Sequence, residues 1–458
     1  MNRSIESSRP LRYATLCALY FAQGFPWGFV TVALAAYLNE HGVPRTETAV
    51  LLSMSLLPWT FKLIWGPIID SFQFAAMGLR RPWILFAQAM MALTLVGASS
   101  SGRVTDPEAL SVLVVVFFLH NCFASLQDVS TDALAMDLLR PEERGRVNGL
   151  MWGTKLVGIS VGGAVLSMVV VRLGIDVAMR FQALAILAVM LFPLLARERV
   201  GERLLPWSKG RRMAPPGASV QADGAGLFRV LAKPLAVAAE LRRAFSMRTT
   251  AMAGAVALLA FVNQGFRDAT NPAVYTQTLG WTTEQYGRAM GLWGTLGMLG
   301  GALAGGFLSD RYGRRLVAGC GTAAVFVVML GFGATEATWT TRPAIPIAFL
   351  PLHEAAFAVA QVSLFSLFMK VSWTKAAATQ FTMYMTLMNL GTAAGPYLTR
   401  LGLGDAASYY VCGVLALVPL ALLPLLRPQT VVDRRQAEIA NTNAVIVGAD
   451  SPSLATAG

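Results

Sequence analysis

The chain has 458 residues, of which 55% are hydrophobic and only 14% charged, a balance that excludes two or three water-soluble domains, since these would need far more charged surface. The net charge of +12 could signal nucleic acid, but the basic residues gather in alternate connections between apolar runs, a pattern that encodes membrane topology and leaves nucleic acid out as a partner.

Apolar runs of about 20 residues, enough for a helix to cross ~30 Å of hydrocarbon, recur along the chain. Twelve spans are expected near 13–38, 47–70, 83–101, 108–136, 147–171, 177–196, 248–278, 284–308, 316–336, 343–369, 376–399 and 406–426, which makes an all-α integral membrane protein with both termini on one side. Of the 37 Lys and Arg, 27 lie in or beside the tails and even-numbered connections and 7 in or beside the odd ones, leaving Lys62, Lys155 and Arg267 inside spans. By the positive-inside rule the side with the termini is cytoplasmic. The start, MNRSIESSRPLRYA, lacks the pattern of a cleavable signal, so the first helix is expected to act as its own insertion signal. The expected division is a first half over 1–196, a cytoplasmic linker over 197–247, a second half over 248–428 and a disordered cytoplasmic tail over 429–458.

A charged side chain in a bilayer is costly enough that it faces a cavity or a partner helix, so polar residues within spans are the site candidates. In the first span Tyr20, Gln23 and Trp27 share a helical face and could stack on a ring-shaped solute or pack against a neighbouring helix. The second span ends in Gly66-Pro-Ile-Ile-Asp70, followed by Arg80 and Arg81. The fourth carries Asn121, Ser125, Asp128 and Asp132 at i, i+4, i+7 and i+11, one polar stripe. Asp128 and Asp132 lie a turn apart, so one of them could carry a transported proton; a static ion pair with Lys155 or a helix-end role is the plain alternative. Asn148, Trp152 and Lys155 share a face of the fifth span. There Gly158-Ile-Ser-Val-Gly162 fits GxSxG, but no strand precedes it and a hydrolase elbow is rejected. Cys17, Cys122, Cys320 and Cys412 sit in apolar spans without CxxC spacing, so neither disulfides nor a metal site is expected.

The stretch LPWSKGRRMAPPGASVQADGAG cannot build a packed core and reads as flexible linker, while LFRVLAKPLAVAAELRRAF after it is amphipathic and basic and could lie on the inner membrane surface or extend the seventh span. The seventh span holds Asn263, Gln264, Arg267, Asp268 and Asn271-Pro272, where the proline is expected to break the helix near solute. Arg267 could grip an anion, pair with Asp268 or snorkel to the outer interface. Glycines at three- and four-residue spacing from Gly291 to Gly306 read as helix packing, and Gly306-Phe-Leu-Ser-Asp310 then leads to Arg311, Arg314 and Arg315. In the tenth span Glu354, near mid-depth, is the residue expected to couple a proton, with Gln361 two turns on and His353 read as a packing histidine. Thr379, Thr382, Thr386 and Asn389 form a polar stripe in the eleventh that reads as helix joining.

The halves echo each other. Gly66–Asp70 recurs as Gly306–Asp310 at an offset of 240, Gln23-Gly24-Phe25 as Gln264-Gly265-Phe266, and His120 with Gln127 loosely as His353 with Gln361. Similar offsets at equivalent spans indicate a parallel duplication into two six-helix pseudo-symmetric halves with a solute path between them. Walker A, HExxH and GxGxxG patterns and catalytic Cys/His arrangements are missing, so no enzyme, cofactor or metal is expected and an ion gradient is the expected energy source.

GGFLSDRYGRR resembles the loop motif between the second and third helices of each half in the major facilitator superfamily, which implies the major facilitator fold with 12 transmembrane helices. Asp310 beside Arg311, Arg314 and Arg315, and Asp70 with Arg80 and Arg81 in the first copy, would latch neighbouring helices in one conformer; the first copy departs in having Ser71 where arginine is expected. The stretches FAQGFPWG, PWTFKLIWGPIID, LRRPWIL, SLQDVSTDALAMDLLRPEERG, the HE of the tenth span, and ATQF with GP in the eleventh are similar to the muropeptide permease (AmpG-type) group and related acetyl-CoA transporters. That resemblance implies proton-driven import of a large polar solute such as an anhydromuropeptide across a bacterial inner membrane, and it puts weight on Lys62, Asp70, Gln127, Asp128, Asp132 and Glu354. Siderophore or coenzyme A ester carriage and drug or metabolite efflux share the architecture, and a non-transporting sensor is the alternative of another class. The expected partners are the lipid bilayer, a small-molecule substrate and protons, with the chain a monomer.

Overall fold

The computed structural model describes residues 4–72, 76–99, 106–208, 248–372 and 377–426, with Arg242 and Phe245. Eleven helices are long and apolar enough to cross a membrane: α1 Arg9–Glu40, α2 Arg45–Asp70, α3 Arg81–Ala98, α4 Glu108–Leu138, α5 Glu142–Leu173, α6 Ile175–Leu195, α7 Arg248–Thr278, α8 Thr283–Tyr312, α9 Arg314–Ala334, α10 Ala344–Val371 and, last, Asp405–Leu422. Between these last two runs α11, Ala377–Ala394, continued by the 3-10 stretch Gly395–Leu401; Asp405–Leu422 is therefore α12. Each of the twelve expected spans thus has a helix near its expected place. Gln380, Thr382, Thr386, Asn389 and Thr392 make α11 the polar one, and it packs against α7 and across to α2. The part of the expected linker over 209–241, which includes most of the amphipathic stretch over 227–245, and the tail from 427 lie outside the described residues.

Inside hydrocarbon the backbone satisfies its own polar groups, which is why every span is helical. Proline is placed where that demand is weakest: Pro10 and Pro82 sit at the first turns of α1 and α3, whose N–H groups lack intrahelical partners anyway. Others lie inside helices, Pro26, Pro67, Pro193, Pro272, Pro351 and Pro419 among the described residues, and two of them occupy equivalent places in the halves. After Pro26 and Pro272 the α-helix widens into π-helical turns, Phe29–Leu34 and Val274–Thr278, so α7 runs on through Asn271-Pro272 instead of breaking there as the sequence suggested.

The duplication shows most directly in how helices touch. A Cβ added to Gly24 would lie 2.1 Å from the Lys155 carbonyl oxygen, and one on Gly162 2.1 Å from that of Phe25, so α1 and α5 meet backbone to backbone. The second half repeats this between α7 and α11, where a Cβ on Gly391 would lie 2.1 Å from Leu258 O and one on Gly395 2.3 Å from Val262 O. Gly391 and Gly395 each follow their counterparts Gly158 and Gly162 by 233 residues. The GxSxG pattern is therefore a packing device of the kind small residues provide in membranes. The α8 glycines do the same against α10, with a Cβ on Gly297 or Gly301 falling 2.3 or 2.2 Å from Pro351 O or Ala355 O.

The halves are fastened at one end. Arg45 at the start of α2 reaches Asp405 at the start of α12 at 2.5 Å, Glu40 accepts from Thr283 N at 2.8 Å and from its hydroxyl at 2.5 Å, and Arg172 meets Glu284 at 3.1 Å. Gln277 Nε2 donates to Asn39 O, and Ser160 Oγ to Gly291 O. Nearer mid-depth Asn389 Nδ2 donates to Trp59 O at 3.2 Å. Towards the end that carries the termini, the shared face of α4 and α5 is exposed at Asp132, Met136, Asn148 and Trp152. The bundle is sealed at the α1–α2, α7–α8 and α11–α12 turns and open at the other end.

Candidate substrate and coupling site

The α4 stripe runs from Asp132, exposed at the opening, to Asp128, Ser125 and Asn121, which are buried, and each of its residues has a specific partner. Asn121 Oδ1 accepts from Trp59 Nε1 at 2.9 Å, Ser125 Oγ from Trp65 Nε1 at 2.8 Å, and Asp132 Oδ1 from the Tyr20 hydroxyl at 2.5 Å. Asp128 is ion-paired with Lys62 of α2. The expected pair between Asp128 and Lys155 is not formed, because Lys62, the residue directly after the 3-10 stretch Leu57–Phe61, comes first to that carboxylate.

Lys155 instead stands among rings. Its ammonium lies 5.0 Å from the Trp59 ring centre, 5.1 Å from Trp152 and 5.8 Å from Tyr20, and Lys62 lies 4.9 Å from the same Trp59 ring. Cation–π attraction of this kind contributes about 0.5–2 kcal/mol, too little to replace hydration in full. Among the described residues no carboxylate comes within 4.0 Å of Lys155, and its hydrogen bond to Gln23 Oε1 is long, at 3.4 Å. Trp27 meets Trp59 edge to face at 5.6 Å. Tyr20, Gln23 and Trp27 thus gather around Trp59 and the two lysines.

The second half treats charge differently. Arg267, 3% exposed, has Nη2 2.9 Å from Asp268 Oδ1 and Nη1 2.5 Å from Glu354 Oε1. It neither snorkels nor is free to grip an anion: a guanidinium taken out of water needs carboxylates around it, and two are supplied. Glu354 Oε2 has no partner among the described residues, so a proton there would leave the Oε1 bond to Arg267 in place. His353 packs between Phe349 and Phe357, with Nδ1 3.5 Å from Glu354 Oε1. Asn271 Oδ1 accepts from Tyr409.

Other expected pathway residues lie off the opening. Gln127 is buried and donates to Leu19 O at 3.0 Å, a seam between α4 and α1. Asn263 and Gln361 line a void of about 20 Å³ under α9 and α12, room for about one water. Gln264 is half-buried.

The latch motifs behave opposite to their regularity. In the irregular first copy Arg80 bridges Asp70 at 2.6 Å and Asp137 of α4 at 3.0 Å. Its extra loop residues let an arginine ten positions on turn back to Asp70. Arg81 is no latch: fully buried, it donates to Leu194 O at 3.0 Å, Leu204 O at 2.6 Å and Pro193 O, fastening α3 to the end of α6. In the regular second copy Asp310 is exposed and has no ion pair among the described residues. Gly313, at φ 93°, makes the turn so tight that Arg314 and Arg315 enter the first turn of α9 and reach the carbonyls of Ser366 and Leu426, while Arg311 lies over the Tyr312 ring.

Trp59 was not singled out from sequence, nor were Arg45 and Asp405. For Trp59 a signal existed, since it lies three residues before Lys62 and so on the same side of a helical turn.

A family model described as Major Facilitator Superfamily matches residues 16–396 and, in a second match, 255–447. The anhydromuropeptide permease of Escherichia coli is 30% identical over 134 residues, 29% of this chain and 26% of the permease; the chain thus aligns with about a quarter of that relative's length. An uncharacterized protein of Haemophilus influenzae is 25% identical over 165 residues, 36% of this chain and 38% of that protein. Among solved structures, the nucleoside transporter NupG superposes with a TM-score of 0.64 at 15% identity, covering 90% of this chain and 98% of that one. A D-xylose-proton symporter gives a TM-score of 0.65 at 14% identity, covering 92% and 99%. At these identities the two structures speak for the fold.

Proposed function

The chain belongs to the Major Facilitator Superfamily, a membrane transporter of small molecules and no enzyme, and from that premise we propose that it is a proton-coupled importer of an anhydromuropeptide-like solute. The observation that carries this reading is the cluster on the wall of the opening: Lys62 and Lys155 against Trp59, with Tyr20, Trp27 and Trp152 around them and Asp128 and Asp132 beside them. Rings and cations at a half interface fit a sugar-and-peptide solute that carries carboxylates. The partial likeness to the anhydromuropeptide permease supports the same class.

The basic connections support cytoplasmic termini, and on this reading, in a bacterial inner membrane, the open end faces inward and Arg45–Asp405, Glu40–Thr283 and Arg172–Glu284 close the outer end. The chain acts as a monomer, with the solute passing between its own halves. Proton coupling falls to carboxylates within the bundle, Asp132 in the first half and Glu354 in the second. The test is counterflow: purified chain in proteoliposomes preloaded with unlabelled N-acetylglucosaminyl-1,6-anhydro-N-acetylmuramyl tripeptide should accumulate the labelled compound. Vesicles that accumulate none of it would reject this solute class.

A further inference from the structure

The first-half cluster says more about the solute, on the reading that the chain imports one through this opening. Lys155 is a cation within the span with rings on three sides and no carboxylate within 4.0 Å among the described residues. Beside it, Gln23 is 2% exposed and turns its carbonyl to Lys155, which leaves Nε2 without an acceptor. An unpaired ammonium and an orphaned amide N–H side by side both call for an oxygen acceptor, and a buried donor left unmatched is unfavourable.

The charges around this spot balance. Lys62 comes from α2 and Lys155 from α5, Asp128 and Asp132 from α4, and among the described residues Tyr20 of α1 is the remaining titratable group against them, donating to Asp132. Two cations face two anions, so a solute anion arriving at Lys155 leaves one uncompensated negative charge in a low-dielectric bundle, a state that proton uptake removes. Of the two carboxylates, Asp128 is held by Lys62, whereas Asp132 is bonded to Tyr20 and exposed to the opening, where water can deliver a proton.

We infer that the solute presents a carboxylate to Lys155 and the Gln23 amide, and that one proton is taken up at Asp132 for each carboxylate docked there. Trp152, exposed on the opening beside Lys155, is the ring against which the solute's adjoining sugar lies. The cluster is then a site for a carboxylic acid in its neutral sum, anion plus proton, rather than for an anion alone.

The test uses the full chain in detergent, with 1,6-anhydro-N-acetylmuramic acid and its methyl ester as probes. Titration calorimetry in two buffers of different ionisation enthalpy reads both affinity and protons taken up. The acid should bind at least about tenfold tighter than the ester and take up one proton. Lys155→Met should lose that preference and Lys155→Arg keep it, which separates loss of charge from loss of folding; Asp132→Asn should bind the acid without proton uptake. Equal binding of acid and ester, binding of neither, a preference that survives Lys155→Met, or proton uptake that survives Asp132→Asn would each overturn the inference. Counterflow without acid preference would sink this inference and leave the importer reading standing, whereas acid preference without counterflow would do the reverse.

Discussion

In the first half the cations Lys62 and Lys155 lie against one indole ring and only Lys62 is paired, with Asp128, whereas in the second half Arg267 is enclosed by Asp268 and Glu354. The 233-residue offset shared by the helix-packing glycines and by His120 and His353 places Lys155 opposite Met388, Asn121 opposite Glu354, and Asp128 opposite Gln361. One ancestral arrangement has thus been furnished in two ways. The first half leaves a cation short of partners at the opening, which a ligand can supply; the second satisfies its cation internally and leaves a carboxylate oxygen over, which a proton can occupy. Duplication preserved the backbone contacts that build each half and released the side chains between them to divide the work.

The largest effect expected from breaking this contrast is at Arg267. Arg267→Met leaves two carboxylates in the second half without their cation and should destabilise the detergent-purified protein by about 3–5 kcal/mol, seen as a lowered melting temperature or lost monodisperse expression. Lys155→Met removes a charge with no carboxylate within 4.0 Å among the described residues, so melting should fall less than in Arg267→Met, while solute uptake falls at least about tenfold, some 1.4 kcal/mol. If both variants melt alike, the two halves do not differ as described. Arg45→Gln frees one fastening of the sealed end; the rate at which a Glu40→Cys, Thr283→Cys pair cross-links should fall about two- to tenfold, reflecting a shift of up to about 1.4 kcal/mol towards the opposite conformer. Smallest is the latch comparison: Asp70→Asn should cost up to about 1 kcal/mol in chemical or thermal unfolding, as expected for a half-exposed pair, and Asp310→Asn nothing measurable.

Much of the architecture was legible in the sequence because lipid imposes length and hydrophobicity on each span separately. The helix 4 stripe was legible too, since i, i+4, i+7, i+11 spacing is a local signal, and all four residues do share a wall. What local periodicity lacks is a record of which side chain across the bundle arrives first. The sequence offers Asp128 to Lys155, but Lys62 reaches it; Gln127, one residue from the stripe, turns to the α1 backbone; Arg45 and Asp405, 360 positions apart, close the sealed end. The latch motif misled for a related reason. Its residue types promise ion pairs, but the tight turn at Gly313 sends the arginines of the regular copy to carbonyls, while the longer loop of the irregular copy brings Arg80 back to Asp70.

The most direct measurement is uptake of labelled N-acetylglucosaminyl-1,6-anhydro-N-acetylmuramyl tripeptide into proteoliposomes, comparing an imposed inward proton gradient with none. The account predicts accumulation above equilibrium only with the gradient, and its loss in Glu354→Gln with counterflow retained. Uptake indifferent to the gradient, or equally lost in both assays for Glu354→Gln, would contradict it.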